Sequence, residues 1–489
     1  MVIGLVTLFV RWPTFGNPML EFDEQLYLLM GDRLWHGQLP YLDLWDRKPV
    51  GLFLFYALIR LLGGLGVVQY QAVATLCAAA TAMILYRLAR RKAAVWPALL
   101  SALAYVFTLN LLHGTGGQTS VFYNLLTAGC FWAAFAANDA NRPWRIIAFA
   151  LPAMLVMGLA LQIKYTVVFE GISLGCWFLW RLHRVGLSVP RLSATALAMM
   201  VLALLPTLAA LGWYAGMGHA DAFVQANFVS VFHRAPFDPV TRREQASYIA
   251  VRTLGLIAAL PVALVVGWRQ RQRGNPHDFA LLCVWTAGAL IGFAMLGDVF
   301  DHYFIPVTMP LCVALAPLLR RGRGGFILGC MVTVWPLAQT PPYYFGTAYY
   351  QREVSHLAAA TRPYLRGHCL YVFDGPTILY HVTGACAPTR YIYPDHLNNP
   401  IEAPALGVDS VQEEQRLLAR RPGAIVTASV SVNPHVNVGT QRVLRAALAR
   451  DYVLVDKVRD PERMLFVWAR RDLHPGPAPI TDHRAANPQ

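Results

Sequence analysis

The sequence predicts a polytopic α-helical membrane protein with about eleven spans, followed by a soluble α/β domain. Three observations carry that prediction. Apolar runs long enough to cross a bilayer core recur along the first 340 positions. Charged residues make up only 14% of a chain that is 56% hydrophobic, well below the quarter or so usual in soluble domains. The basic residues sit in short clusters between apolar runs, and the loops alternate between rich and poor in them.

Backbone amides in lipid must be satisfied within the segment, so the apolar runs are helices. A soluble protein with buried helices would need charged faces on most of them, and these are absent. The net charge of +14 does not indicate nucleic acid, because its placement follows the positive-inside pattern rather than one basic face.

Topology follows from the basic clusters. They are Arg87, Arg90, Arg91 and Lys92; Arg142 and Arg145; Arg181, Arg184 and Arg191; Arg269, Arg271 and Arg273; and Arg320, Arg321 and Arg323. These mark the inner side. The segments 113–118, 216–247 and 297–302 then face out, as does the first loop, 13–48. The stretch Met1 to Trp12 is short for a span: either the true start lies upstream or the helix continues past Pro13. No small-residue cleavage site follows, which argues against a signal peptide. The run 50–65 follows the outer loop directly, while the next span must reach the inside at Arg87. It is therefore expected to lie in the outer interface rather than cross.

Residues 1–340 thus form the membrane domain. From about Pro341 the composition changes. Tyr343, Tyr344, Tyr349 and Tyr350 read as an aromatic belt at the membrane exit. Short β-like runs then alternate with polar helical stretches: residues 369–373, 424–427, 452–455 and 464–468. The expected domain is 341–472, and the Pro-rich end 473–489 is expected to be disordered. Six of the eight cysteines lie in apolar runs. Cys369 and Cys386 lie in the tail, where they could form a disulfide if the tail faces an oxidising compartment.

Two places stand out chemically. The first outer loop holds six acidic residues between Glu21 and Asp46 in an otherwise charge-poor protein. Crowded carboxylates at a membrane surface repel one another and lose hydration, which can poise one as a base. The bland alternative is a solvated acidic loop. The second place is Lys164, at the outer turn of an apolar hairpin spanning 146–180. A snorkelling lysine is the bland reading, but a lone intramembrane cation is a functional candidate by default.

The order of motifs then resembles a known family. Asp23-Glu24, a following Tyr27, then Gly37-x-x-Pro40-Tyr41-x-Asp43-x-x-Asp46-x-Lys48-Pro49 resembles the first periplasmic loop of C-type (GT-C) polyprenyl-phosphate-dependent glycosyltransferases. The similarity is greatest to glycosyltransferase family 39, with its protein O-mannosyltransferases, aminoarabinose transferases and lipopolysaccharide-core transferases. Gly158 to Lys164 resembles the family's Gly-rich span ending in Lys. Asp301-His302-Tyr303-Phe304 with Pro306 and Pro310 resembles its His-Tyr-Phe…Pro motif. Two departures are present: Val50 follows Lys48-Pro49 where a second Pro is common, and the 113–118 loop lacks the frequent Glu.

The resemblance implies a GT-C fold in a bacterial inner membrane, with the N-terminus cytoplasmic and the tail domain periplasmic. It implies an inverting transfer from a polyprenyl-phosphate sugar to a glycolipid, glycan or protein acceptor. Asp23 would be the base, and Glu24 would orient the acceptor or modulate Asp23. Lys48, Lys164, His302 and Tyr303 would hold the donor phosphate. Tyr27, Tyr41, Asp43, Asp46 and Asp301 would contact substrate, and His233 and Arg234 in the long outer loop are further candidates. Asp43 and Asp46 only loosely resemble a metal-binding pair; a divalent cation stays open as a cofactor, while capping and loop solvation explain the two residues more simply. The rival function is a transporter or flippase. It predicts internal repeats and matched broken helices, which the sequence lacks, and midmembrane rather than outer-face charges.

Overall fold

The computed structural model describes residues 1–269, 275–295, 297, 299–319, 322–339, 345–433 and 435–474. Arg271, Arg273, Arg320, Arg321, Tyr343, Tyr344 and the tail beyond residue 474 lie outside them.

The bundle opens with α1 (Val2–Arg11), α2 (Phe22–Leu34) and α3 (Val50–Arg60). It continues through α4 (Val67–Ala89), α5 (Val95–Leu111), α6 (Thr119–Ala137), α7 (Pro143–Leu161), α8 (Val168–Arg184) and α9 (Val189–Gly216). Two short helices, α10 (Ala220–Val224) and α11 (Ser230–His233), flank a π-helical turn at Gln225–Val229. Then come α12 (Pro239–Arg252), α13 (Leu254–Arg269), α14 (His277–Ala294), α15 (Ile305–Leu315) and α16 (Arg323–Ala338).

Among the described residues, six helices are long and apolar enough to cross a bilayer, or seven if α12 and α13, bent by 73°, form one span. Four shorter apolar helices accompany them. The difference from an expected eleven lies in helices below that length: α1 has 10 residues, α5 and α8 have 17 each and α16 has 16. Length alone does not assign them as crossings.

Loop charges alternate end to end along the bundle. At one end, Arg91 after α4 makes paired hydrogen bonds to Asp139 after α6, at 3.0 and 2.9 Å. It also bonds Asp278 at the start of α14, at 2.8 and 3.2 Å. Asn138 and Asn275 complete that network through Asp278 and Asp139. At the other end, α5 leads to His113, α7 to Lys164 and α14 to Asp301. Helix α3 begins beside Lys48 and ends at Arg60, so it stays at this second end. Leu54, Leu58, Leu61, Leu62 and Leu65 are exposed there.

Arg11, fully buried at the end of α1, holds the 113–117 loop. It donates to the carbonyls of Gly114 at 2.7 Å and Gly116 at 2.9 Å. The loop packs closely on α2 at Gly116, where a Cβ would run into the Glu24 carboxylate.

The tail carries α17 (Thr347–Thr361), β1 (Leu370–Val372), α18 (Ile378–Thr383), α19 (Pro394–Leu397) and α20 (Ser410–Ala419). It closes with β2 (Ala424–Ala428), α21 (Val438–Asp451), β3 (Tyr452–Arg459) and β4 (Met464–Arg470). The sheet order is β1-β2-β4-β3. Strands β1 and β2 run parallel, while β4 pairs antiparallel with both β2 and β3. Leu370, Val372, Val426, Leu465 and Val467 fill one face of the sheet; Tyr371, Ile425, Leu417 and Leu444 fill the other. Cys369 and Cys386 are joined by a disulfide that fastens β1 to the following loop. Tyr349 and Tyr350 lie on α17.

Candidate active site

The second end of the bundle opens into a cavity of about 850 Å³. Its walls come from the 21–23 and 46–49 segments, His113, Lys164, Arg234, the 300–303 turn and the tail residues Tyr393, Asp395, His396 and Glu402.

Asp23 sits in the first turn of α2, where the helix dipole favours a carboxylate. Tyr27, one turn further along, donates to its Oδ2 at 3.1 Å. Tyr393 donates to its Oδ1 at 2.9 Å. Burial alone would raise the pKa of Asp23. Lys48, His302, the Tyr393 hydrogen bond and Lys164 outweigh it and hold the carboxyl well below the usual range.

Two lysines face this carboxylate field. Lys48 Nζ lies 3.4 Å from Asp46 Oδ1 and 5.3 Å from the Tyr27 ring centre. Burial works against its charge, but Asp46 and Asp23 raise its pKa overall. Lys164 is buried in the hairpin after α7, with its Nζ 3.8 Å from the Tyr303 ring centre. Burial first, then repulsion from Lys48, pushes its pKa down to about 7. Arg47 and Arg234 both pair with Glu402.

A second chain of groups lines the same wall. His113 Nδ1 lies 2.8 Å from Glu21 Oε1, and its Nε2 lies 3.3 Å from Asp301 Oδ2. Burial opposes its charge; Glu21 and then Asp301 outweigh burial and push the imidazole up to about 9. His113 is therefore a cation near neutral pH, tying the segment that carries Asp23 to the turn that carries His302. Asp301 Oδ1 accepts from the His302 amide at 2.7 Å.

Of the expected site residues, Asp23, Asp46, Lys48, Lys164, Asp301, His302 and Tyr303 line this one cavity, as does Arg234. Five others do not line it. Glu24 turns away towards Gly116 and is fully buried. Neither of its oxygens has a partner of good geometry, though the Gly117 amide and Tyr70 lie close. Burial and then Glu21 push it up to about 8, so it is neutral at pH 7 and braces α2 against the loop. Tyr27 is buried behind Asp23 and orients it rather than meeting substrate.

Tyr41 is buried with φ +72°, and its hydroxyl donates to Lys48 O at 2.8 Å. That strained residue shapes the loop that presents Lys48. Asp43 caps a turn by accepting from the Leu39 amide at 2.7 Å, and it lines a different cavity from Asp46. The two therefore do not form a shared ligand pair. His233 is exposed, its Nδ1 3.0 Å from Val229 O.

The tail contribution, Tyr393, Asp395, His396 and Glu402, was not singled out from the sequence. The aromatic cluster Tyr391-Ile392-Tyr393 in an otherwise polar stretch was the available signal. His396 is held neutral by burial and by Arg47.

Residues 46–213 match the family model described as dolichyl-phosphate-mannose-protein mannosyltransferase. That segment is about a third of the chain and includes Asp46, Lys48 and Lys164. A search of curated proteins returns no match. Two solved structures share the whole architecture. ArnT from Cupriavidus metallidurans bound to undecaprenyl phosphate is 12% identical, with a TM-score of 0.63, covering 98% of this chain and 99% of its own. The apo form of the same protein is 13% identical, with a TM-score of 0.63 and 98% of each chain covered. The chain is thus a multi-span membrane protein with the C-type glycosyltransferase (GT-C) fold.

Proposed function

We propose that the protein transfers a sugar, with inversion, from a polyprenyl-phosphate donor to an acceptor facing the periplasm, such as lipopolysaccharide or another envelope glycan or glycolipid. The observation that carries this reading is one cavity holding an ionised, hydrogen-bonded carboxylate beside the buried Lys164 and the half-buried Lys48. The family match and the undecaprenyl phosphate bound by the ArnT relative support it.

In this reading the donor phosphate sits between Lys48 and Lys164. The acceptor oxygen attacks the anomeric carbon as the carbon–oxygen bond to phosphate breaks, through an oxocarbenium-like state. The acceptor proton passes to Asp23, and the bond pair leaves with the lipid phosphate. Charge growing on the phosphate is met by the lysines, with His302 and Tyr303 beside them. Lys48, His302, Tyr393 and Lys164 hold Asp23 at low basicity. A phosphate anion would satisfy both lysines and let the basicity of Asp23 rise when the donor is in place.

The positive-inside pattern supports a cytoplasmic N-terminus and a periplasmic cavity in the inner membrane. The tail disulfide supports an oxidising compartment for that domain.

The test is mass spectrometry of polyprenyl-phosphate lipids in membranes carrying wild type, no protein, or Asp23→Asn at matched expression. Accumulation of one polyprenyl-phosphate sugar in both defective strains is expected, and its mass identifies the sugar. Accumulation in the deletion alone would remove Asp23 as the base. No accumulation in either, with redundancy excluded, would end the transferase reading in favour of transport.

A further inference from the structure

A second cavity, of about 480 Å³, lies between the far end of α2, the 38–44 loop and the tail domain. Arg33, Arg390, Arg416 and Arg420 line it, against two carboxylates, Asp43 and Glu413. The carboxylates are already engaged. Asp43 accepts from the Leu39 amide at 2.7 Å, and Glu413 Oε1 accepts from the Thr389 hydroxyl at 2.6 Å. Glu413 Oε2 reaches only the mostly exposed Arg416, at 3.7 Å.

The other three arginines have neutral partners among the described residues. Arg33 donates to Ala385 O at 2.7 Å and Arg420 to Pro388 O at 2.6 Å. Arg390 donates to Tyr41 O at 3.3 Å and to the Tyr391 hydroxyl at 2.6 Å. A guanidinium carries five N–H donors in a planar fork suited to phosphate. Each of these three uses one or two. The cavity therefore holds surplus positive charge and surplus donors, fixed by backbone contacts to two separate parts of the fold. Positions 23 and 33 are ten residues apart on one helix, roughly 15 Å along its axis.

We infer that this second cavity is an anion-binding site, built for a phosphate group and separate from the first. The arginines are held in place by carbonyls, so their charge is available rather than spent on internal ion pairs. The site does not depend on the transferase reading.

The experiment is thermal unfolding of the purified full-length protein in detergent, at constant ionic strength. The probes are sodium pyrophosphate, glucose 1-phosphate and, as a neutral control, glucose. Binding to the folded state raises the melting temperature by mass action. Wild type and Lys164→Met are expected to shift with the phosphate probes and not with glucose. Arg390→Gln with Arg420→Gln should lose more than half of that shift, affinity falling about tenfold or more. Arg390→Lys with Arg420→Lys should recover part of it, which separates charge from misfolding. Tighter binding of glucose 1-phosphate points to a phosphorylated glycan; tighter binding of pyrophosphate points to a free anion. A wild type that does not respond, or a shift that survives in the Gln variant but is lost in Lys164→Met, overturns the site.

Discussion

The two ends of the helical bundle treat charge in opposite ways. At the Arg91 end, each carboxylate meets a guanidinium in direct hydrogen bonds, and Asn138 and Asn275 take up further valences. At the cavity end, Lys48 and Lys164 face open volume, with Asp23 as their shared counter-charge. Saturated charge locks loops together. Unsaturated charge, such as that of Lys164 against the half-buried Tyr303 ring, waits for something that arrives later.

Substitutions at the two ends should therefore fail differently. The largest effect is expected from Asp23→Asn, which should lower kcat by about a hundred- to ten-thousand-fold while the protein unfolds at the same temperature as wild type. A parallel loss of stability would make the cavity end structural. Next, Asp278→Asn should cost about 3 kcal/mol in thermal unfolding, because it leaves the Arg91 charge underpaired. KM and kcat of the surviving protein should not move; a changed KM would erase the contrast between the ends.

Lys164→Met should weaken donor binding about tenfold to a hundredfold at pH 6, the worth of a hydrogen bond to a charged group. The pH sign sharpens this. Before donor binds, Lys164 loses its proton as pH rises through about 7, so wild-type donor affinity should fall between pH 6 and 8.5. Lys164→Arg stays charged throughout and should flatten that profile. A wild-type profile already flat would place the controlling charge elsewhere. The smallest effect is expected from Tyr393→Phe, a several-fold loss in kcat measured at saturating donor, as one hydrogen bond to Asp23 disappears.

Legibility in the sequence followed the range of the interaction. Arginine-rich loops announced which helix ends belong together, because topology is written locally in short segments. Asp43 and Asp46 resemble a metal-binding pair only loosely in sequence, with capping and loop solvation the simpler reading, and the backbone sends them to separate cavities. Glu24 adjoins Asp23 in sequence but lies about 100° away around α2, which is enough to bury it against Gly116. Tyr27, four residues on from Asp23, does reach it, as helical spacing allows. Tyr393 was beyond such reasoning: it lies 370 residues from its partner, and nothing local marks that pairing. Arg11 illustrates the same limit: nothing local in the stretch from Met1 to Trp12 marks it, while its guanidinium fixes a loop 103 residues away.

The distance between Asp23 and Tyr393 also sets a schedule. At a synthesis rate of about ten residues per second, roughly half a minute separates the appearance of the carboxylate from that of the tyrosine that completes it. During that interval the nascent chain carries exposed lysines and a bare carboxylate but has no finished chamber. A ribosome stalled before the tail emerges would leave a protein inserted in the bilayer yet unable to enclose a substrate. Completion of translation is in this sense the last step of assembling the chamber.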